Sequence, residues 1–261
     1  MTTVSRFSLR CVACTCILLS VVTCLSAAKK ERTRKRSGVI RNLKYDPAAE
    51  AVKLFDGLED HRLEARVVPK NEFVANVYLT NTTAKPLTVM LPKAVVAVHV
   101  LKQFGNSSSG NQQQSGNAQS VGGQFQNNTN SSSQGNNFFS IPPEKTVVTQ
   151  LHTVCLDHGK KTPSPRMKYD LRKIEDHTPN QALRRLLENY DPQKTDRNTM
   201  QAAVWHLSND IGWKQLKSKK IRLIIGVSRR FFSSEQLKNA QTLVENAQES
   251  TRKRRRISKV R

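Results

Sequence analysis

Residues 105 to 137, GNSSSGNQQQSGNAQSVGGQFQNNTNSSSQGNN, restrict the fold of this 261-residue chain more than any other stretch. Val121 and Phe125 are the only large apolar side chains in it. A segment this polar cannot bury enough apolar surface to offset the entropy lost on ordering, which predicts a disordered, low-complexity loop. The flanking residues are of the opposite kind. On one side AVVAVHVL, residues 94 to 101, is a continuous β-branched run that suits a buried strand. On the other, FFSI and then KTVVTQLHTVCL are again strand-like. The tract therefore reads as a long insertion between two strands of one sheet, since lengthening a loop adds only about 0.6 kcal/mol per doubling.

The strand pattern begins earlier. Phe73, Ala75, Val77 and Leu79 alternate with Val74, Asn76, Tyr78 and Thr80, a period of two that marks a half-buried strand. Leu87 to Leu91 forms a second extended run after the turn-rich residues Asn81 to Pro86. Short strands separated by turns predict an immunoglobulin-like β-sandwich over residues 45 to 175. N-x-S/T triplets at Asn81, Asn106, Asn127 and Asn130 match the glycan-acceptor pattern of a eukaryotic host, a pattern that Asn- and Ser-rich sequence also forms by chance.

Beyond residue 175 the period changes. Thr178-Pro179-Asn180-Gln181 has a Thr cap, Pro at the first helical position and Gln three residues on. Ala182, Leu183, Leu186, Leu187 and Tyr190 then share one face. A second helix is expected through NTMQAAVWHL, with Met200, Ala203, Val204 and Leu207 on one stripe. IRLIIGV, residues 221 to 227, reads as a strand, and Ser233 to Gln236 as a capping box that opens a helix carrying Leu237, Ala240, Val244 and Ala247. The expected class is α+β: the β-sandwich, then a mostly helical segment over 176 to 250 containing one strand, then a basic disordered tail over 251 to 261.

The N-terminus has the layout of a signal peptide over residues 1 to 28. Arg6 and Arg10 precede the uncharged run CVACTCILLSVVTCLSAA, which ends on the small residues Ser26, Ala27 and Ala28. Four of the five cysteines, Cys11, Cys14, Cys16 and Cys24, lie in this run, where they act as small hydrophobes. The next eight residues, KKERTRKR, carry net +5 and open a basic linker over 29 to 44. Positive charge tends to stay cytoplasmic, so an uncleaved anchor at residues 11 to 28 is the alternative to export. Its apolar run of 18 residues is at the short end of a membrane span.

LHTVCLDHGK, residues 151 to 160, gathers two histidines, a cysteine and an aspartate. As a strand it points His152, Val154, Leu156 and His158 one way and Thr153, Cys155 and Asp157 the other. Cys155 then cannot pair with His152, and the two histidines stand roughly 20 Å apart, too far to share a metal. This reading leaves Cys155 a buried small hydrophobe and implies no metal and no cofactor. The acidic cluster of Asp56, Glu59, Asp60, His61 and Glu64 has no complete cation-loop spacing and reads as a solvated turn.

TVCLDHGKKTPSPRMKY followed by MQAAVWHL resembles a pattern in uncharacterised exported bacterial proteins. Over about residues 150 to 210 it is also similar to the thioester domains of bacterial surface adhesins. Cys155, Tyr169, Gln201, Ala203, Val204 and Trp205 occupy the matching places. That resemblance implies a cysteine sulfur acylated by a glutamine side chain, with loss of ammonia, as a latent electrophile for amines. The glutamine of that family lies further along the chain between apolar residues. Gln241, followed by Thr242, Leu243 and Val244, is the candidate here, although its surroundings read as helix.

Net charge is +23, and the last ten residues, RKRRRISKVR, supply +7 of it. Arg252, Lys253, Arg254, Arg255 and Arg256 are the expected binding residues, because clustered cations neutralise anionic surfaces. For an exported chain the partners would be envelope lipid headgroups or acidic polysaccharide. Nucleic acid is the alternative, less favoured because neither basic run interleaves aromatic side chains for stacking. The chain carries no glycine-rich phosphate loop, no H-E-x-x-H and no G-x-S-x-G. The reading is therefore an exported, non-enzymatic protein that binds at the cell envelope, with a Cys-Gln thioester adhesion module as its rival.

Overall fold

Alternating buried and half-exposed residues run through the strand β3, Val74–Asn81, as its period of two requires, and Ala75, Val77, Leu79 and Asn81 turn inward. The structure, a computed structural model, describes residues 38–100, 118–126, 137–222 and 226–260. The expected signal segment 1–28 and the first part of the basic linker lie outside them, with Cys11, Cys14, Cys16 and Cys24. So do Asn106, Asn127 and Asn130.

Before β3 come β1 (Glu50–Lys53), α1 (Leu54–Glu59) and β2 (Leu63–Pro69). After it come β4 (Leu87–Met90), β5 (Val95–His99), β6 (Val121–Phe125), β7 (Phe138–Ile141), β8 (Thr146–Cys155) and β9 (Tyr169–Lys173). Six of these strands close on themselves in the order β2-β3-β8-β6-β5-β9, all neighbours antiparallel, and Val67 opposite Tyr169 completes the ring. The expected immunoglobulin-like sandwich is thus corrected to a closed barrel, while the α+β class is compatible with it. Beside the barrel, β4 pairs in parallel with β1 and antiparallel with β7.

The strand that closes the barrel comes from inside the tract expected to be disordered. Residues 118 to 126 are ordered, and β6 lies between β5 and β8. Its two glycines explain both its composition and its place. A Cβ at Gly123 would fall 1.8 Å from the carbonyl oxygen of His152 on β8. A Cβ at Gly122 would meet Leu187 and Leu156 at 3.0 and 3.2 Å. A strand squeezed between a neighbouring backbone and a covering helix needs residues without side chains. Residues 105–117 and 127–136 of the tract lie outside the described part.

One smaller expectation is also corrected. Residues 38 to 44, expected as linker, attach to the sheets: Ile40 bridges to Val147 and Lys44 to Ser140. Asn81 is fully buried. Its Nδ2 donates to the carbonyls of Lys85 and Ile141, and its Oδ1 accepts from the N–H and the hydroxyl of Thr83. A glycan on Nδ2 would have to displace the bonds this nitrogen donates inside the fold.

The helices follow: α2 (Ile174–His177), α3 (Gln181–Glu188), α4 (Arg197–Asn209), α5 (Trp213–Ser218) and α6 (Ser234–Val260), with the hairpin β10 (Lys220–Arg222) and β11 (Ser228–Arg230) before the last. The α3 cap is Asn180, not Thr178: its Oδ1 accepts from the N–H groups of Ala182 and Leu183. Asp196 caps α4 through the N–H of Thr199. The Ser233–Gln236 capping box closes in both directions at 2.9 and 3.0 Å. α4 is buried from Thr199 to Trp205, since it packs on β8 with one side and on α6 with another. Barrel and helices share one hydrophobic core.

Candidate functional site

Cys155 ends β8 opposite Val121 of β6, on the face that holds Leu151 and Thr153 inside the barrel. It is 3 % exposed, and burial first, then the carboxylates of Glu72 and Asp157, pushes its thiol up to about 12. Tyr169 is buried nearby; its hydroxyl donates to the carbonyl of Gln119, and burial first, then Cys155 and Asp157, raises its pKa. At neutral pH both groups keep their protons. His152 lies on the other face of β8, half-buried, its pKa lowered by burial and by Arg197. The expected separation of Cys155 from His152 therefore matches the geometry, and the thiol has no base beside it in that strand.

The glutamine that reaches Cys155 is Gln201 of α4. Its Oε1 accepts from the Cys155 N–H at 2.9 Å and its Nε2 donates to the Cys155 carbonyl at 2.8 Å. With 2 % of its surface exposed, this amide acts as a one-residue strand that pairs the free edge at the end of β8 and pins α4 to the barrel. Trp205, one helical turn on, is buried against Phe231, Phe232 and the exposed ring of His158. Gln241, proposed from the sequence as the bonding glutamine, is in a different setting. It sits half-exposed on α6 beside a recess walled by Trp213, Lys214 and Lys217 of α5 and Lys238 of α6.

That recess belongs to a cationic face which the sequence reading missed. Residues 213 to 230, WKQLKSKKIRLIIGVSRR, contain seven cations and no acid. In the sequence this run of cations is overshadowed by the denser charge at the two ends of the chain. Among the described residues, Lys214, Lys217, Lys220, Arg222, Arg229 and Arg230 are exposed and in no ion pair. Lys219 differs: its Nζ is 2.8 Å from His158 Nε2 and lies over the rings of Trp205 and Phe231. Burial lowers its pKa, and burial with Lys219 lowers that of His158.

The C-terminal basic run continues α6 to Val260 in place of the expected disordered tail. Arg252, Lys253, Arg254 and Arg256 are exposed, Lys253 pairs with Glu249 at 2.8 Å, and Arg255 is on the same helix. No group of three His, Cys, Asp or Glu side chains among the described residues is placed to hold a metal ion. In the acidic cluster, Glu59 instead pairs with Lys173 at 2.8 Å. No helix among the described residues is long and apolar enough to cross a membrane. No family model, curated protein or solved structure matches the chain.

Proposed function

We propose that this is an exported, non-catalytic protein that binds an anionic surface at the cell envelope through the cationic face of α5, β10 and β11 and the basic end of α6. The observation that carries this reading is the set of exposed, unpaired cations over residues 214 to 230, in a stretch without one acid. Surface charge that serves folding is usually interspersed with its opposite sign. A single-sign patch destabilises the folded chain by self-repulsion and raises the local concentration of anions. The non-catalytic part of the reading is supported by Cys155, whose thiol is buried and protonated at neutral pH.

The test is binding of the chain from residue 29 onward to anionic vesicles and to dextran sulfate across a salt series. Affinity should fall steeply with salt, and Arg229→Gln with Arg230→Gln should weaken it several-fold. Salt-independent binding, or none, would sink the reading. Export is tested separately by the intact mass of the native protein, which should begin at Lys29 in an exported fraction.

A further inference from the structure

We propose that the recess between α5 and α6 is a saccharide subsite that takes one acidic sugar unit of a sulfated or uronic-acid polysaccharide. This rests on the anion-binding reading and names its ligand. The recess has a volume of about 240 Å³ and is lined by Trp213, Lys214, Lys217, Ser234, Lys238 and Gln241. Lys214 and Lys217 are three residues apart and share a helix face, and Lys238 approaches from the other helix. Three unpaired ammonium groups thus converge on one cavity.

The indole is what a simple charge patch would lack. Trp213 stacks on His206 with ring centroids 4.3 Å apart and planes 27° from parallel, which fixes its orientation. A fixed aromatic wall offers apolar area with little rotamer entropy left to lose. A pyranose ring has a C–H face that lies against such a wall and a rim of hydroxyls that need donors and acceptors. Gln241 offers both through its amide and Ser234 both through its hydroxyl, each on α6.

The cations in the recess are all lysines, and the arginines of β10 and β11 are not part of its lining. Arginine forks suit planar, bidentate contacts, while an ammonium is a compact point charge that meets an anionic oxygen from several directions. One aromatic platform also fits one sugar better than a nucleic-acid strand, whose successive bases need successive platforms.

The experiment is calorimetry of the full chain with a heparin-derived hexasaccharide, with inorganic polyphosphate and with oligo-dT, each matched in charge. The hexasaccharide should bind about tenfold more tightly than polyphosphate. Gln241→Ala with Ser234→Ala should weaken the hexasaccharide roughly fivefold, the loss of one or two hydrogen bonds, and leave polyphosphate unchanged. Both substitutions are on solvent-facing positions, and thermal melts check that they fold. Equal binding of hexasaccharide and polyphosphate, equally altered by the variants, overturns the subsite and leaves the cationic face intact. Tighter binding of oligo-dT with quenched indole fluorescence overturns it in favour of base stacking. Failure of all three probes overturns the subsite together with the anion-binding reading.

Discussion

The end of β8 and the face of α5 hold the same kinds of side chain, a glutamine and a tryptophan among titratable groups, and treat them in opposite ways. At the end of β8 the amide of Gln201 closes two bonds on the Cys155 backbone, Trp205 is core, and the thiol is held neutral. On α5 and its surroundings Gln241 and Trp213 line an open recess, and the cations beside them form no ion pair among the described residues. Polar groups that satisfy one another inside a core stabilise the fold, and those left without partners at the surface remain free to bind. The first region thus serves stability, and the second is the one we propose for recognition.

The most severe way to break the first region is Gly123→Ala. Its Cβ would sit inside the contact distance of the His152 carbonyl, on the strand pair that closes the barrel. A loss of about 4 kcal/mol or more is expected, enough to leave little folded protein in a urea titration. Gly38→Ala, where nothing lies within 4 Å, is the control and should stay within about 0.5 kcal/mol of the parent. Similar stability for the two variants would mean that β6 does not close the barrel.

Gln201→Ala comes next. It strands the N–H and the carbonyl of Cys155 in the core, at about 1–3 kcal/mol for each unsatisfied group. The folded fraction should bind anionic polymer as tightly as the parent. Weakened binding by folded Gln201→Ala protein would show that the two regions are coupled after all.

Much of this contrast was legible in the residues, and the rest was hidden for definite reasons. The alternation in residues 73 to 80 and the Ser233–Gln236 box are local signals, and they read correctly because burial on one face and capping depend on nearby sequence. The closure of the barrel was invisible because β6 looks like its low-complexity surroundings. Gly122 and Gly123 are there to let a helix and a strand come close, a requirement that only the distant residues Leu187 and His152 reveal. Without β6, β5 and β8 lose a shared neighbour and the strands suggest two open sheets. Gln201 sat within the resemblance without its role being legible. Its partner is a backbone 46 positions earlier, which no periodicity reports.

A milder probe of the buried region is alkaline pH. Folding raises the Cys155 pKa from the ordinary 9.0 to about 12, so the unfolded chain loses this proton first. The contribution to stability is complete below pH 9 and is lost as pH rises toward 12, with Tyr169 adding in the same direction. Stability should therefore decline over this window, and Cys155→Ala should flatten the decline while lowering the plateau by about 1–2 kcal/mol for the cavity it leaves. In the parent, an aromatic disulfide reagent at pH 8 should label Cys155 only at the rate of global opening. Rapid labelling of the folded chain would mean that the thiol is accessible, and would revive it as a reactive centre.

The smallest expected effect on stability belongs to the cationic face, and it makes the sharpest separation of the two regions. Arg229 and Arg230 are exposed on a three-residue strand and make no ion pair among the described residues, so Arg229→Gln with Arg230→Gln should change stability by less than about 0.5 kcal/mol. Removing like charges from a crowded patch relieves repulsion, so the sign should be slightly stabilising. Binding should respond in the other direction. Each cation that touches the polyanion contributes up to about one unit to the slope of log affinity against log salt, so the double variant should flatten that slope by up to about two. If the slope is unchanged while stability falls, these arginines serve the fold, and the division between a self-satisfied core and an unpaired binding face fails where it is most exposed.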